Sequence, residues 1–507
     1  LKVCDPAMGS GHFLVEAVDF ITDELLDFLN AFPVNPVSAA IERTRDAIIV
    51  SLREQGLEPD KPFKKRLTDV HLLKRHVLKR CIYGVDLNPL ATELAKVSLW
   101  LDAFTLGAPL SFLDHHLRTG NSLIGSSIAD LEKELEGQLF RIDEGHLRRA
   151  VESVLLVASL ADASAHEVAR SKEAFDNARK TLSAYGVLLD ILVARHFGLG
   201  DATAALLEMS PQLDFTTIDA FKASFRMAIE SARLPATEIQ KFYKARGIDT
   251  KSGVRADALE AVESLAEERR FFHWDLEFPE VFYKLTGIDH NRVERKADGE
   301  AGFDAVVGNP PYGYRTFPEL KDYLKGLNAT PTSENIAELF IKKACATLNA
   351  YGGMGQIVPK QLCYTPTWLD ARSCLMMRFG YPSELLDAGE AFEDVLLEQL
   401  VFICRSSPPE SCTVSTIKSG QGVRTSGLLS KDLITHKRWP LYATERMGAL
   451  HRRIAEESTA LNDILQVYHG LKNVRPHMNY ADGEQILRGD NIGRYVCNDD
   501  ILLLPRN

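Results

Sequence analysis

The sequence predicts an α/β fold with a large helical insertion, and three observations support this class. Short apolar runs near residues 2–5, 81–86 and 303–307 each end in a turn, and the first two lead directly into a helical pattern. This alternation is typical of βα units in a parallel sheet. About 300 residues separate Gly11 from Asn309, whereas one βα unit takes about 30. Much of the intervening chain therefore lies outside the sheet.

Composition indicates an ordinary globular protein. The 507 residues are 45% hydrophobic and 25% charged, which leaves room for two or more domains. The eight cysteines show no zinc-ligand spacing, so we expect reduced thiols, no metal site and a cytoplasmic location. No apolar run approaches membrane-spanning length, so no membrane partner is expected.

The net charge of −11 argues against a broadly basic surface of the kind that binds nucleic acid. One segment, 61–80, is nevertheless strongly basic, with Asp69 as its one acidic residue. Two interpretations stay open for it: a solvated helix face, or a local patch for the DNA backbone.

Polar groups follow the first predicted strands at the points where ligands bind in open α/β sheets. The first strand leads into Asp5-Pro6-Ala7-Met8-Gly9-Ser10-Gly11, where glycines permit a tight turn and close approach of a cofactor. The second strand ends at Asp86, a suitable acceptor for a ribose diol; its alternative role is a turn or helix cap. Asn121 follows a third predicted strand.

The run 303–312 carries the predicted chemistry. The apolar strand 303–307 ends abruptly at Asn309-Pro310-Pro311-Tyr312, because proline has no N–H and restricts the residue before it. This turn presents an amide, free backbone carbonyls and an aromatic ring. Such a set suits a flat, planar amine, whose N–H groups need acceptors and whose ring can stack.

These motifs, in this order, resemble those of gamma-class adenine-specific DNA methyltransferases of the large type IIG restriction–modification kind. The resemblance implies a Rossmann-like S-adenosylmethionine-dependent methyltransferase fold. It implies a catalytic role for Asn309, Pro310, Pro311 and Tyr312, with Tyr312 and Phe392 stacking on the target base. Implied contacts to the cofactor, S-adenosylmethionine, come from Asp5, Pro6, Ala7, Gly9, Gly11, Phe13, Asp86, Leu87 and Asn121. The family commonly has an acid where this chain has Asn121.

Four segments are predicted. Residues 1–126 form the cofactor half of the methyltransferase domain, and 127–270 form a helical insertion in which Val168, Phe175, Leu182 and Leu189 repeat every seven residues. Residues 271–405 form the catalytic half, completing a sheet of about seven strands; its segment 271–282 alternates like a half-buried strand. Residues 406–507 form a linker or β-rich extension and the start of a target-recognition domain.

The resemblance implies methylation of the exocyclic amino group of a flipped-out adenine, with double-stranded DNA as partner. Nuclease or recognition domains are expected in the same full-length polypeptide, of which this chain is expected to be a piece that binds DNA weakly on its own. Two alternatives stay open. One is a protein glutamine methyltransferase, which shares the Asn-Pro-Pro-Tyr tetrad; the other is a catalytically silent DNA- or partner-binding subunit.

Overall fold

The computed structural model describes the greater part of the chain, and every structural statement below concerns the described residues. They are 1–32, 35–57, 67–134, 144–200, 217–231, 258–297, 299–313, 320, 323–325, 327, 333, 335–389, 397–418, 422–441, 453, 483–486, 492–493, 496–497 and 502–505.

A nine-stranded sheet organises the first of two compact units, Leu1–Glu445. Its strands lie in the order β11-β10-β8-β9-β7-β6-β1-β2-β3. In chain order they are β1 Val3–Asp5, β2 Ile82–Asp86, β3 Leu117–Thr119, β6 Phe303–Gly308, β7 Leu348–Pro359, β8 Glu384–Gly389, β9 Gln399–Cys404, β10 Ser411–Lys418 and β11 Gly422–Ser430. A separate antiparallel pair consists of β4 Tyr283–Thr286 and β5 Arg292–Arg295.

Most strand pairings in the sheet are parallel, which confirms the predicted α/β class with a Rossmann-like sheet. Strand β1 pairs in parallel with β2 on one side and with β6 on the other. The chain therefore switches direction across the sheet at β1, and ligands bind at such switch points beyond the carboxyl ends of the strands. Strands β9 and β11 run antiparallel to their neighbours.

Helices cover the sheet and begin at recognisable caps. The first helix starts after Gly11, which has φ 84°, while the side chains of Asn35 and Asn88 cap the helices that begin at Pro36 and Pro89. The helices are α1 His12–Asn30, α2 Pro36–Glu54, α3 Asp69–Cys81, α4 Pro89–Asp102, α5 Ile128–Glu134, α6 Glu144–Ser159, α7 Ala165–Ala194, α8 Ile218–Ser231, α9 Ala258–Arg269, α10 Trp274–Glu277, α11 Pro279–Phe282, α12 Ile336–Thr347 and α13 Leu369–Phe379.

The predicted heptad stripe lies on α7, which packs against α6 and α9. All three helices lie between β3 and β6 in the sequence. Phe175, Leu182 and Leu189 are buried along it. Gly186 does not interrupt the helix, because neighbouring buried side chains hold this turn on both sides. A glycine inside a helix costs about 1 kcal/mol of stability relative to an alanine, so helix propensity alone disfavours this turn.

The strand predicted within 271–282 is wrong. Residues Trp274–Glu277 and Pro279–Phe282 form two short helices, and Phe271 makes only an isolated bridge to Asn121. The apolar alternation was misleading because Phe272, Trp274 and Phe278 turn into one aromatic cluster rather than onto one face of a sheet.

The sheet also has nine strands rather than about seven. Strands β10 and β11 fall in the segment predicted as a linker or β-rich extension, and β10 joins the edge of β8 in parallel. The alternating buried residues of β10, Cys412 and Val414, pack into the main core. The second unit, Arg446–Asn507, is described only at Arg453 and in four short strands, so the target-recognition domain stays a prediction.

The basic segment turns its described cations largely inward. Lys74 forms ion pairs with Asp19 and Asp102, and the buried Lys79 lies 2.6 Å from Asp162. Arg75, also buried, donates to the Asp162 carbonyl. These contacts tie α3 to neighbouring helices and to the connection between α6 and α7 in the insertion. They do not support a basic patch in residues 67–80; residues 61–66 lie outside the described part.

We predict that Asp162→Ala lowers the free energy of unfolding by about 3–5 kcal/mol, because Lys79 would stay buried without its counter-charge. Asp162 also accepts from Ser171 Oγ and from the Phe112 N–H. The matched control is Arg405→Ala, which removes an exposed ion pair with Glu384 and should cost about 0–1 kcal/mol. Chemical denaturation measures both; equal losses would contradict the buried-pair assignment.

Candidate active site

Four loops meet beyond the carboxyl ends of β1, β2, β3 and β6 and enclose a cavity of about 440 Å³. Its wall brings together residues that lie far apart in the sequence. The predicted site residues that line it are Pro6, Ala7, Asp86, Leu87, Asn121, Asn309, Pro311 and Tyr312. The remaining predicted residues described by the structure, Asp5, Gly9, Gly11, Phe13 and Pro310, lie on the same loops and helix start without lining the cavity.

The first loop is held by glycine geometry and by the neighbouring strand. Gly9 and Gly11 have φ values of 54° and 84°, a region that side chains disfavour. A Cβ on Gly11 would also lie 3.0 Å from the Ala95 Cβ of α4. The Met8 N–H donates to the Val85 carbonyl at 3.1 Å, which fastens the loop to β2.

Asp5 is a buried carboxyl group at the end of β1. Its Oδ1 accepts from the Ala7 N–H at 2.9 Å, which fixes the turn. Burial raises the pKa of Asp5 to about 7; the Ala7 hydrogen bond lowers it, and the charge of Asp86 raises it further. Asp5 therefore shapes the first loop from below the cavity.

Asp86 holds two loops with one carboxylate. Its Oδ2 accepts from the Gly9 N–H at 2.9 Å, and its Oδ1 accepts from the Asn88 N–H at 2.7 Å. A carboxylate has about four lone-pair sites, so acceptor capacity remains on the cavity side. The turn-cap role is present in the structure, and it leaves the predicted ligand role chemically available.

Asn121 sits on a loop that the mispredicted aromatic segment holds in place. The Asn121 N–H donates to the Arg270 carbonyl at 2.7 Å, and the Trp274 Nε1–H donates to the Ser122 carbonyl at 3.0 Å. Within the loop, Asn121 Oδ1 accepts from the Leu123 N–H at 3.1 Å. Ser122 Oγ donates to the Pro6 carbonyl at 2.6 Å, joining this loop to the first.

The Asn309-Pro310-Pro311-Tyr312 turn brings an amide and a phenol together. Tyr312 Oη lies 2.6 Å from Asn309 Oδ1 and 3.0 Å from the Ile357 carbonyl. The phenol has one proton, so it donates to one of these oxygens at a time. Burial raises the pKa of Tyr312, which keeps that proton in place at neutral pH.

Sequence reasoning missed the apolar part of the wall. Leu123, Leu320, Ile336 and Phe340 line the cavity together with the polar groups. The spacing of Ile336 and Phe340, four apart on α12, was a usable signal for a shared helix face. Leu320 carried no such signal. The predicted base-stacking residue Phe392 lies outside the described residues.

A family comparison assigns the chain. The model of the Eco57I restriction-modification methylases matches residues 80–387, more than half of the sequence. The chain belongs to the Eco57I restriction-modification methylase family. The matched range begins just before β2 and runs through the Asn309 turn to β8.

Individual relatives are more distant. A Methanocaldococcus jannaschii protein described as a candidate type II restriction enzyme and methyltransferase is 23% identical over 420 residues. That match covers 81% of this chain, which spans only 30% of the relative's length. A type I restriction–modification methyltransferase subunit from Streptococcus thermophilus is 11% identical, covering 88% of this chain and 93% of its own, with a TM-score of 0.22. At that score the superposition adds nothing to the family assignment.

The part of this Eco57I-family chain that the structure describes contains neither a metal-binding cluster nor a membrane-spanning helix. No group of three or more His, Cys, Asp or Glu side chains there could hold a metal ion. None of the described helices combines the length and the hydropathy needed to span a bilayer.

We predict that the Asp5 carboxyl makes stability depend on pH. Its folded pKa of about 7 exceeds the unfolded value of about 4, so the folded state holds the proton more tightly. Stability of the wild type relative to Asp5→Asn should therefore fall by about 2–3 kcal/mol between about pH 5 and pH 8. Urea unfolding at several pH values measures this, with Asp46→Asn on the exposed face of α2 as control. A constant difference between wild type and Asp5→Asn would contradict the prediction.

Proposed function

We propose that this chain carries the methyl-transfer site of a DNA methyltransferase acting on the exocyclic amino group of adenine in a restriction–modification system. One observation carries the proposal: the cavity wall joins Asp86 and Asn121 on one side to Asn309 and Tyr312 on the other. Membership of the Eco57I restriction-modification methylases supports DNA rather than a protein glutamine as the acceptor.

The donor side of the cavity fits S-adenosylmethionine. Its volume lies in the range of small-molecule sites, and its wall combines apolar surface with a few polar groups. Asp86 would accept from the ribose hydroxyls, and the Asn121 side chain would contact the adenine ring. When bound, S-adenosylmethionine supplies a methyl group activated by a sulfonium centre.

The acceptor side suits a planar amine that is a weak nucleophile. The lone pair of an aromatic amine is delocalised into the ring, so catalysis needs acceptors for its N–H bonds rather than a strong base. Asn309, which lines the cavity, provides one such acceptor, and the carbonyl of Pro310, on the same turn but not in the cavity wall, would be the second. Together they would position the nitrogen and stabilise the charge that develops on it.

The contact between Tyr312 and Asn309 fits this role. If the phenol donates to the Ile357 carbonyl, a half-turn of the Asn309 amide lets Nδ2–H donate to the phenol oxygen. Oδ1 then faces the cavity and is free to accept from the target. Tyr312 thus orients the amide and offers a ring on which a base extruded from the duplex can stack.

The first test is Asn309→Ala in the full-length protein. We expect methyl transfer to fall by about 10²–10³-fold, because one acceptor of the target amine is lost, while S-adenosylmethionine affinity stays within about twofold. Transfer of a tritiated methyl group to unmethylated DNA measures activity, and calorimetry measures affinity.

The control for this test is Asn177→Ala, which removes the same side chain at an exposed position on α7. Normal turnover of Asn309→Ala would overturn the catalytic assignment. Transfer by the wild type to protein but not to DNA would overturn the substrate class. Recovery of the tritiated methyl group on cytosine would overturn the assignment of adenine as the target base.

The second test separates the two roles of Tyr312. Tyr312→Ala should weaken interaction with the target base by about 1–3 kcal/mol, because the stacking surface is lost. Tyr312→Phe keeps the ring and should retain kcat/KM for DNA within about tenfold, losing only the contact that orients Asn309. Steady-state kinetics on DNA compare the two variants; equal losses would show that the phenol, not the ring, matters.

A further inference from the structure

The residues that close the donor side of the cavity are held by the helical insertion. We define the donor loop as residues 121–126; its first three members line the cavity. The loop lies between β3 and the insertion, and its backbone has little freedom. A Cβ on Gly125 would lie 1.9 Å from the Phe272 carbonyl oxygen, so the loop presses directly on the chain returning from the insertion.

A first contact path runs from α7 through a histidine. Asp190 on α7 lies 2.9 Å from His273 Nε2, and His273 Nδ1 lies 3.1 Å from the Ser126 backbone nitrogen. Because Nδ1 accepts the Ser126 N–H, Nε2 is the ring nitrogen that donates to Asp190. His273 is buried and the Asp190 side chain is 19% exposed, so water has limited access to this path.

A second path runs from the end of α7 through a tyrosine. The Phe197 ring stacks on the Tyr323 ring with centroids 5.5 Å apart and planes inclined by 9°. The Tyr323 hydroxyl donates to the Gly125 carbonyl at 2.8 Å and accepts from the Gly125 N–H at 3.3 Å. Tyr323 is 3% exposed, so this pair of bonds is made inside the protein.

The apolar contacts around these paths reach the cavity. Leu123, Leu320 and Phe340 line it and share one hydrophobic cluster with Val193 of α7 and with Tyr323. Tyr323 therefore connects three parts: the insertion, the donor loop and the segment that follows the Asn309 turn. Displacing it would move the cavity wall from two sides.

We propose that the helical insertion positions the donor loop through these two paths, with His273 and Tyr323 as positioning residues for the methyl-donor site. The identity of the donor rests on the proposed function, whereas the mechanical link does not. Both residues act through the backbone of Gly125 and Ser126 rather than by touching the donor. Small displacements at a binding wall are costly, because a bound group tolerates little misplacement.

The primary test is Tyr323→Phe in the full-length protein, which keeps the stack on Phe197 and removes only the hydroxyl. Tyr351→Phe is the matched control, because the Tyr351 side chain is 82% exposed. Hydrogen–deuterium exchange of peptides covering 121–126 should rise about 2- to 10-fold in Tyr323→Phe and stay unchanged in the control. Affinity for S-adenosylhomocysteine should fall about 2- to 10-fold, with a larger effect on KM for the donor than on kcat.

Asp190→Ala tests the other path, because it removes the acceptor of the His273 Nε2–H, whereas an asparagine oxygen would still accept it. This variant also serves if Tyr323→Phe does not fold. It should raise exchange at Ser126 by a similar factor. Unchanged exchange of the donor loop in both variants would overturn the proposal. So would faster exchange with unchanged affinity for S-adenosylhomocysteine. Failure of the wild type to bind S-adenosylhomocysteine would instead overturn the proposed function, while the exchange result would still decide the link.

Discussion

The parallel pairing of β1 with β6 is the constraint on which the site depends. It places the end of the first strand beside the turn that carries Asn309, across about 300 residues of sequence. The pairing needs a glycine at the end of β6: a Cβ on Gly308 would lie 2.5 Å from Asp5 Oδ1. With the glycine, the loops after β1, β2 and β3 and the Asn309 turn open into one cavity. A side chain there would push Asp5 against the first loop.

Local signals explain what could be predicted from the sequence. The glycine loop, Asp86 and the Asn309 turn each combine a short apolar strand with residues that stop it, so both the strand and its ligand-facing end could be predicted. Geometry adds that Asp86 also fastens the first loop through Gly9. That contact joins residues from two different βα units, and nothing in either local pattern indicates it.

The failures have physical causes of the same kind. The aromatic string around Trp274 alternates like a strand, but its pattern reflects one three-dimensional cluster and the loop it supports. The sequence placed Lys79 on a solvated or DNA-facing surface, because its partner, Asp162, is far away in the sequence. Leu320 could not be assigned to the wall, since only the fold brings it to the cavity. The errors at Lys79 and Leu320 concern partners that are distant in the chain.

The position of the insertion ties it directly to the cavity wall. It leaves the sheet immediately after the loop that carries Asn121 and returns at Arg270, whose carbonyl accepts from the Asn121 N–H. The entry and exit of the insertion are thus joined by a hydrogen bond at the cavity wall. Lengthening such an excursion costs little additional closure entropy once its ends are fixed. The insertion can therefore be large, yet any rearrangement that separates its ends must displace the residues that line the cavity.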